Sequence, residues 1–204
     1  MQVIEMIADE RRGLADVLVA LTPEQLGTRS LCGAWSVHDV AAHLLMPLVT
    51  PMPRLIMTTM LSGFDLNKAN LKLTAGVARR SAARIAEGLR EGADYRFKPP
   101  GMGFEAPLTD LLVHQQDIRR PLGLPFHLDP DRLRVCLDFT VGRVADRLAS
   151  GLLLEANDLD WAAGAGRVVR GPAEALLMVL NGRAVALADL EGEGVEQIRS
   201  RLVR

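Results

Sequence analysis

The stretch Ala106-Pro-Leu-Thr-Asp-Leu-Leu-Val-His-Gln-Gln-Asp-Ile118 places polar side chains on a helical pattern that is otherwise apolar. At about 100° per residue, Asp110 and His114 lie one above the other on such a helix, and Asp117 follows within the same stripe. A buried carboxylate or imidazole is costly unless it has a partner. Carboxylate and imidazole four residues apart can bind one divalent metal ion, although a solvated pair or a buried hydrogen bond would leave the same pattern.

A second helix supplies another inward histidine. Ser36 and Asp39 form a capping box that predicts a helix start, and His43 lies on the stripe that runs down from Ser36. His38 is about 140° away around this helix, so it cannot share a site with His43. A single inward histidine can equally be a hydrogen-bonded core residue, so the metal hypothesis depends on both helices together.

Composition excludes several classes of function. The 204 residues carry a net charge of -1, with Lys and Arg dispersed and few aromatic residues, so we expect neither a nucleic-acid partner nor a membrane partner. Two cysteines, Cys32 and Cys136, are too few for a disulfide framework and lack a Cys-x-x-Cys spacing. The first twelve residues lack the order of a signal peptide. A protein of the reducing cytoplasm is therefore predicted.

One run of the sequence, Val40 to Leu61, is apolar enough to suggest a membrane span. It is interrupted by His43, Pro47, Pro51, Pro53 and Arg54. Proline kinks or ends a helix and a charged residue is expensive in lipid, so the run predicts a kinked buried helix instead. The Met-rich part from Met46 to Met60 also suggests a homodimer.

The pattern of the chain changes at Gly151. Helical patterns with short connections precede it and predict an antiparallel four-helix bundle over residues 1–150. Leu152–Trp161 and Arg167–Arg170 then read as two short strands joined through Gly164-Ala-Gly166, and two helical patterns follow. The sequence therefore predicts a mainly α protein with a small C-terminal α/β domain over residues 151–204.

The segment Gly33-Ala-Trp-Ser-Val-His-Asp-Val-Ala-Ala-His-Leu44 resembles a family pattern written roughly G-W-S/T-V-x-D-V-V-A-H-L. Further similar segments are Val113–Gly123, Asn157–Trp161, Val169–Glu174, Asn181–Arg183 and Leu190–Gly194. In these segments the chain resembles the maleylpyruvate isomerase family of mycothiol-dependent enzymes, whose fold is a DinB-like metal-binding bundle.

The resemblance implies a set of site residues. Two histidines and a carboxylate hold a divalent metal, usually zinc, in that family, and the matching positions are His43, Asp110 and His114. Asp110 stands where the longer Glu is best known. Asp117 would orient a ligand or act as a base. Arg183 matches a Gly-Arg motif and would hold a substrate carboxylate, or else would cap the end of the preceding helix.

The resemblance also implies a function: a metal- and mycothiol-dependent isomerase or thiol transferase acting on a small acidic electrophile such as maleylpyruvate. A metal-bound thiol becomes a nucleophile because the ion lowers its pKa. Two alternatives stay open. One is a non-catalytic protein that binds a metal or small molecule, and the other is a metal-dependent hydrolase.

Overall fold

The computed structural model describes residues 2–125 and 127–202. As predicted, the chain is mainly helical, with a small sheet near its C-terminus. The helices are α1 (Val3–Ala20), α2 (Pro23–Gly27), α3 (Val37–Val49), α4 (Met52–Leu61), α5 (Leu66–Val77), α6 (Ala82–Glu91), α7 (Glu105–Leu122), α8 (Pro130–Val144), α9 (Ala173–Leu180) and α10 (Val195–Leu202). The strands are β1 (Leu152–Ala156), β2 (Ala162–Gly164) and β3 (Arg167–Gly171).

The chain divides into two compact units, Met1–Phe126 and His127–Arg204. In the first unit α1 and α3 each pack against both α6 and α7, which makes a four-helix bundle. Helix α5 packs on the outside of α3, and α4 packs on α5. The buried positions of α1, α3 and α7 follow the helical periodicity of their apolar residues, so the bundle core forms where the sequence predicts it.

Local capping residues determine where α3 begins and where α7 ends, and these two helices carry the candidate site residues. The Ser36 hydroxyl accepts the backbone N–H of Asp39 at 3.2 Å, and the Asp39 carboxylate accepts the N–H of Ser36 at 3.0 Å, so the predicted capping box starts α3. Helix α7 ends at Gly123, whose φ of 62° is the left-handed conformation that glycine adopts without strain.

A buried arginine fastens α1 to the end of α6. The Arg11 guanidinium donates to the carbonyls of Gly92, Ala93 and Tyr95 at 3.1, 2.9 and 2.8 Å. Burial lowers the pKa of Arg11 to about 10, which still leaves the guanidinium charged at neutral pH. The contact satisfies three carbonyl groups at the point where the chain leaves α6.

The run from Val40 to Leu61 forms two helices rather than one kinked helix. The chain bends by 119° between α3 and α4. Most of α3 is buried, but α4 has no buried residue, so the prediction of a buried helix is wrong for its second half. Among the described residues, no single helix is long and apolar enough to cross a membrane. Helices α3 and α4 have that length and composition only when they are taken together.

The second unit contains a three-stranded sheet in the order β2-β1-β3. Strand β1 pairs antiparallel with β2 and parallel with β3, and α9 packs against β1 and β3. The predicted strand Leu152–Trp161 is shorter than expected, because β1 ends at Ala156 and a separate strand follows. Gly164 and Gly166 both have positive φ, and a Cβ at these positions would collide with the carbonyl oxygens of Leu152 and Gly151, respectively.

The change from helix to strand lies at Gly151, where the sequence pattern changes. The second compact unit begins earlier, at His127, because α8 packs against α9. The boundary of an independently folding domain at residue 151 stays a prediction.

Candidate metal centre

Three side chains from two neighbouring helices of the bundle converge. The Asp110 carboxylate lies with one oxygen 3.5 Å from His43 Nε2 and the other 3.4 Å from His114 Nε2. One donor atom from each residue lies within 4.8 Å of the other two. Because α3 packs against α7, His43 comes opposite the Asp110 and His114 pair. The structure thus brings together the three residues that the sequence indicates as metal ligands.

The arrangement fits a small divalent cation. Ligand atoms around a tetrahedral zinc ion lie about 3.3 Å apart, given metal–ligand distances of roughly 2.0–2.2 Å. Each Asp110 oxygen lies at about this spacing from one imidazole nitrogen, so the shorter carboxylate still reaches both imidazoles. The Asp110 side chain is 46% exposed, whereas those of His43 and His114 are 11% and 9% exposed. The cluster is therefore open on the Asp110 side, where a further ligand could enter.

Each histidine is oriented by an oxygen acceptor on its other nitrogen. His114 Nδ1 lies 2.8 Å from a carboxylate oxygen of the fully buried Asp117, and His43 Nδ1 lies 3.2 Å from Asn70 Oδ1. Both oxygens can only accept, so in the neutral rings Nδ1 carries the proton and Nε2 presents its lone pair to the cluster. The predicted orienting role of Asp117 requires such a contact, and the role itself stays a prediction. Asn70 was not expected from the sequence, because it lies among basic residues that indicate a solvated helix.

The carboxylate of Asp110 and the two imidazoles favour each other's charged forms. Desolvation opposes the charged form of His114, but attraction to Asp110 and hydrogen bonds with Asp110, Asp117 and Cys32 outweigh it and raise its pKa well above the ordinary value. Desolvation likewise opposes ionisation of Asp110, and the two histidines outweigh it, so its pKa lies far below the usual range. The carboxylate is therefore ionised over the whole physiological range, as a metal ligand must be.

The turn before α3 lies against the same two histidines. The Trp35 ring centroid is 5.2 Å from that of His43, which in turn is 4.8 Å from that of His114. The N–H of Leu31 donates to the Asp117 carbonyl at 3.1 Å and ties this turn to α7. Cys32 Sγ, His114 and Asp117 form a second group of potential ligand atoms. No metal-binding spacing surrounds Cys32, so the sequence pattern does not indicate it as a site residue.

Arg183, the predicted substrate-binding residue, belongs to the second unit. It follows the end of α9, and its guanidinium donates to the Asn181 carbonyl at 2.7 Å. This contact is the capping interaction that we expected as the alternative role. Binding of a substrate carboxylate by Arg183 stays a prediction.

Comparison with known proteins supports the resemblance seen in the sequence. The family model described as "Mycothiol maleylpyruvate isomerase N-terminal domain" matches residues 7–49, a range that includes α3 and His43. The family predicted from the sequence is therefore confirmed over this N-terminal segment. No curated protein matches.

Two solved structures match this chain along most of its length. One is a mycothiol-dependent maleylpyruvate isomerase, with 13% identity and a TM-score of 0.49, and the other is a histidine-to-alanine mutant of a protein with the same name, with 12% identity and a TM-score of 0.51. Each comparison covers 91% of this chain and 92% of the other. At this level of identity the second match shows a common fold and no more.

Proposed function

We propose that this chain, which carries the N-terminal segment of the mycothiol maleylpyruvate isomerase family, is a metal- and thiol-dependent isomerase or thiol transferase. Its substrate would be a small acidic electrophile such as maleylpyruvate, and its thiol would be mycothiol. The observation that carries the proposal is the convergence of His43, Asp110 and His114 at one solvent-open point of the bundle.

The residues around the cluster have separate roles in this proposal. A bound divalent metal, zinc above all, would supply a positive charge that lowers the pKa of a thiol beside it. His43, Asp110 and His114 would hold the ion, leaving the side next to Asp110 for the thiol. Asp117 and Asn70 would keep the two imidazoles in the tautomer that presents Nε2.

The reaction needs no oxidant and no net proton. The thiolate adds to one carbon of a double bond conjugated with a carbonyl group, and the displaced electron pair moves to the carbonyl oxygen as an enolate. The former double bond is now single and can rotate. Return of the electron pair re-forms the double bond and expels the thiolate, which gives the other geometric isomer. If a proton reaches the enolate carbon first, the thiol stays attached and the reaction is a transfer.

Arg183 would hold the carboxylate of the substrate in this proposal. A guanidinium presents parallel N–H donors that match the two oxygens of a carboxylate, which lysine cannot reproduce. The Arg183→Lys variant keeps the charge but loses this geometry. Activity should therefore fall at least about tenfold, mainly through KM, while metal content and melting temperature stay unchanged. Unchanged kinetics would exclude a role of Arg183 in binding the substrate carboxylate.

Metal content and thiol dependence separate the proposal from its alternatives. Protein purified without added metal is analysed by elemental mass spectrometry, and turnover of maleylpyruvate is followed with and without mycothiol. We expect about one divalent ion per chain and turnover only with the thiol. Turnover of an ester or amide without thiol would indicate the metal-dependent hydrolase, and a loaded site without any turnover would indicate the binding protein.

A further inference from the structure

The outward side of α4 is apolar, and its inward side is partly polar. At 100° per residue, five large apolar side chains occupy one continuous half of this helix. They are Met52, Ile56, Met57, Met60 and Leu61, each more than half exposed. Thr58 and Thr59 lie on the other half, which is only partly exposed, and the Thr59 hydroxyl donates to the Leu55 carbonyl. This pattern is the reverse of what an amphipathic helix on a bundle should show.

The residues after α4 also expose large apolar side chains. Phe64, Leu66 and Leu71 are 73%, 69% and 51% exposed, and α4 packs on the helix that contains Leu66 and Leu71. Eight large apolar side chains that are each more than half exposed form more apolar surface than a soluble monomer usually leaves uncovered, since exposed patches above roughly 300–600 Å² mark interaction sites. We call the eight residues the α4 face.

Positive charge is concentrated in the same part of the chain. Residues 52–84 contain six basic side chains and one acidic side chain, a net charge of +5, whereas the whole chain carries -1. The basic residues are Arg54, Lys68, Lys72, Arg79, Arg80 and Arg84. Among the described residues 2–125 and 127–202, no group forms a hydrogen bond or an ion pair with the guanidinium of Arg54, Arg79 or Arg80, and all three are exposed. Lys68 pairs with Asp65, and Arg84 pairs with Glu87, so the uncompensated charge comes from the other basic residues. Arg54 of α4 and Arg80 line one pocket beside the end of α5, which places positive charge next to the α4 face.

We propose that the α4 face docks on an anionic phospholipid bilayer. The apolar half of α4 would enter the boundary between headgroups and acyl chains, and the neighbouring Lys and Arg would contact lipid phosphates. Each basic residue near an anionic surface adds to the attraction. A second copy of the chain is the competing occupant, but it would bring the same positive charge to the same face. The charge of the region favours the anionic surface.

Vesicle sedimentation of the full chain tests the proposal. Vesicles of equal parts phosphatidylglycerol and phosphatidylcholine should bind the protein at least about tenfold more strongly than vesicles of phosphatidylcholine alone. High salt should weaken the binding, because the electrostatic part is screened. Absence of binding to the anionic vesicles, or equal binding to both compositions, would overturn the proposal.

Paired variants show whether the α4 face is responsible. The double variant Ile56→Ser/Met60→Ser should reduce binding to the anionic vesicles at least about tenfold, and Lys68→Gln/Lys72→Gln should reduce it by a smaller factor. The matched control is Val19→Ser/Val185→Ser, which removes equally exposed apolar groups from α1 and from the short 3₁₀ helix Ala184–Asp189 and should leave binding unchanged. Circular dichroism checks the fold of each variant. A dimer in light scattering that the Ile56→Ser/Met60→Ser variant dissolves would assign the face to a second copy instead.

Discussion

Helices α7 and α4 depart from the ordinary pattern in opposite directions. Helix α7 buries His114 and Asp117 where a bundle core would normally be apolar, and every one of these polar groups has a partner. Helix α4 exposes methionine and isoleucine where a surface would normally be polar. A buried polar group costs stability unless it has a partner, and a large exposed apolar surface is typical of an interaction site, so both departures indicate candidate functional regions.

The largest expected effect removes a ligand from the polar cluster. His43→Ala takes away one of three metal ligands, so we expect metal content to fall from about one ion per chain to a trace and thiol-dependent turnover to disappear. His38→Ala is the matched control, because His38 lies on the same helix but contacts the Ala78 carbonyl at 3.0 Å, away from the cluster. Elemental mass spectrometry measures both. Full metal retention by the His43 variant would remove the metal centre from the proposal.

A smaller effect is expected from the residues that orient the ligands. Asn70→Leu and Asp117→Asn each disturb one acceptor of a histidine Nδ1–H, and such partners contribute about 10–100-fold to metal affinity. Competition with a chromophoric chelator measures the affinity. The control is Thr74→Val, which loses only a long 3.4 Å contact to Asn70 and should change affinity by less than either variant. Unaltered affinity in both orienting variants would mean that the imidazoles are held by packing alone.

The metal-free protein should show the charges of the cluster in its pH dependence. The pKa of His114 is raised in the folded state, so its contribution to stability is present below its unfolded pKa of about 6.5 and is lost as pH rises through the folded value. The pKa of Asp110 is lowered, so its contribution is present above about pH 4 and is lost only in acid. With a chelator present, the melting temperature should therefore be higher at pH 6 than at pH 9.

A variant without His114 tests whether the His114–Asp110 pair causes this pH dependence. His114→Gln removes the group with the raised pKa, so the decline in melting temperature between pH 6 and pH 9 should become shallower than in the native chain. An equally steep decline in the variant would assign it to other groups.

The smallest effect is expected from a substitution on the exposed helix α4. Met57→Gln replaces a side chain that is 56% exposed, so the free energy of unfolding should change by no more than about 0.5 kcal/mol. Leu45→Ala, on the buried half of the bent pair, should cost about 2–5 kcal/mol, because Leu45 is fully buried. Chemical denaturation measures both. A large loss in the Met57 variant would show that the α4 face packs against part of the chain.

The sequence predicts the bundle and the three-residue cluster well, because both depend on local periodicity. On α7, the spacing of Asp110 and His114 places both on one face. On α3, the capping box at Ser36 sets the start of the helix and so the face on which His43 lies. The packing of α3 on α7 then brings the two faces together. Asn70 could not be predicted, since its contact with His43 depends on how α5 packs outside the bundle. No local pattern carries that information.

The wrong prediction for α4 has a similar cause. The run from Val40 to Leu61 is apolar throughout, and hydrophobicity alone predicts burial without saying whether the fold supplies a partner. The sharp turn between Val49 and Met52 directs the second half away from the core, where it packs mainly on α5. Composition therefore indicates that the segment is apolar, but it does not indicate which half of the segment the fold buries.

The Arg11 contacts also determine where the chain can be altered. Because this guanidinium holds the carbonyls of Gly92, Ala93 and Tyr95, the chain is anchored just after α6, and the packed start of α7 anchors it again at Leu108. Between these anchors Gly101 is exposed, and its φ of 75° belongs to a surface turn. A reporter peptide inserted at Gly101, or new chain termini placed there, would leave the separation of His43 and Asp110 intact.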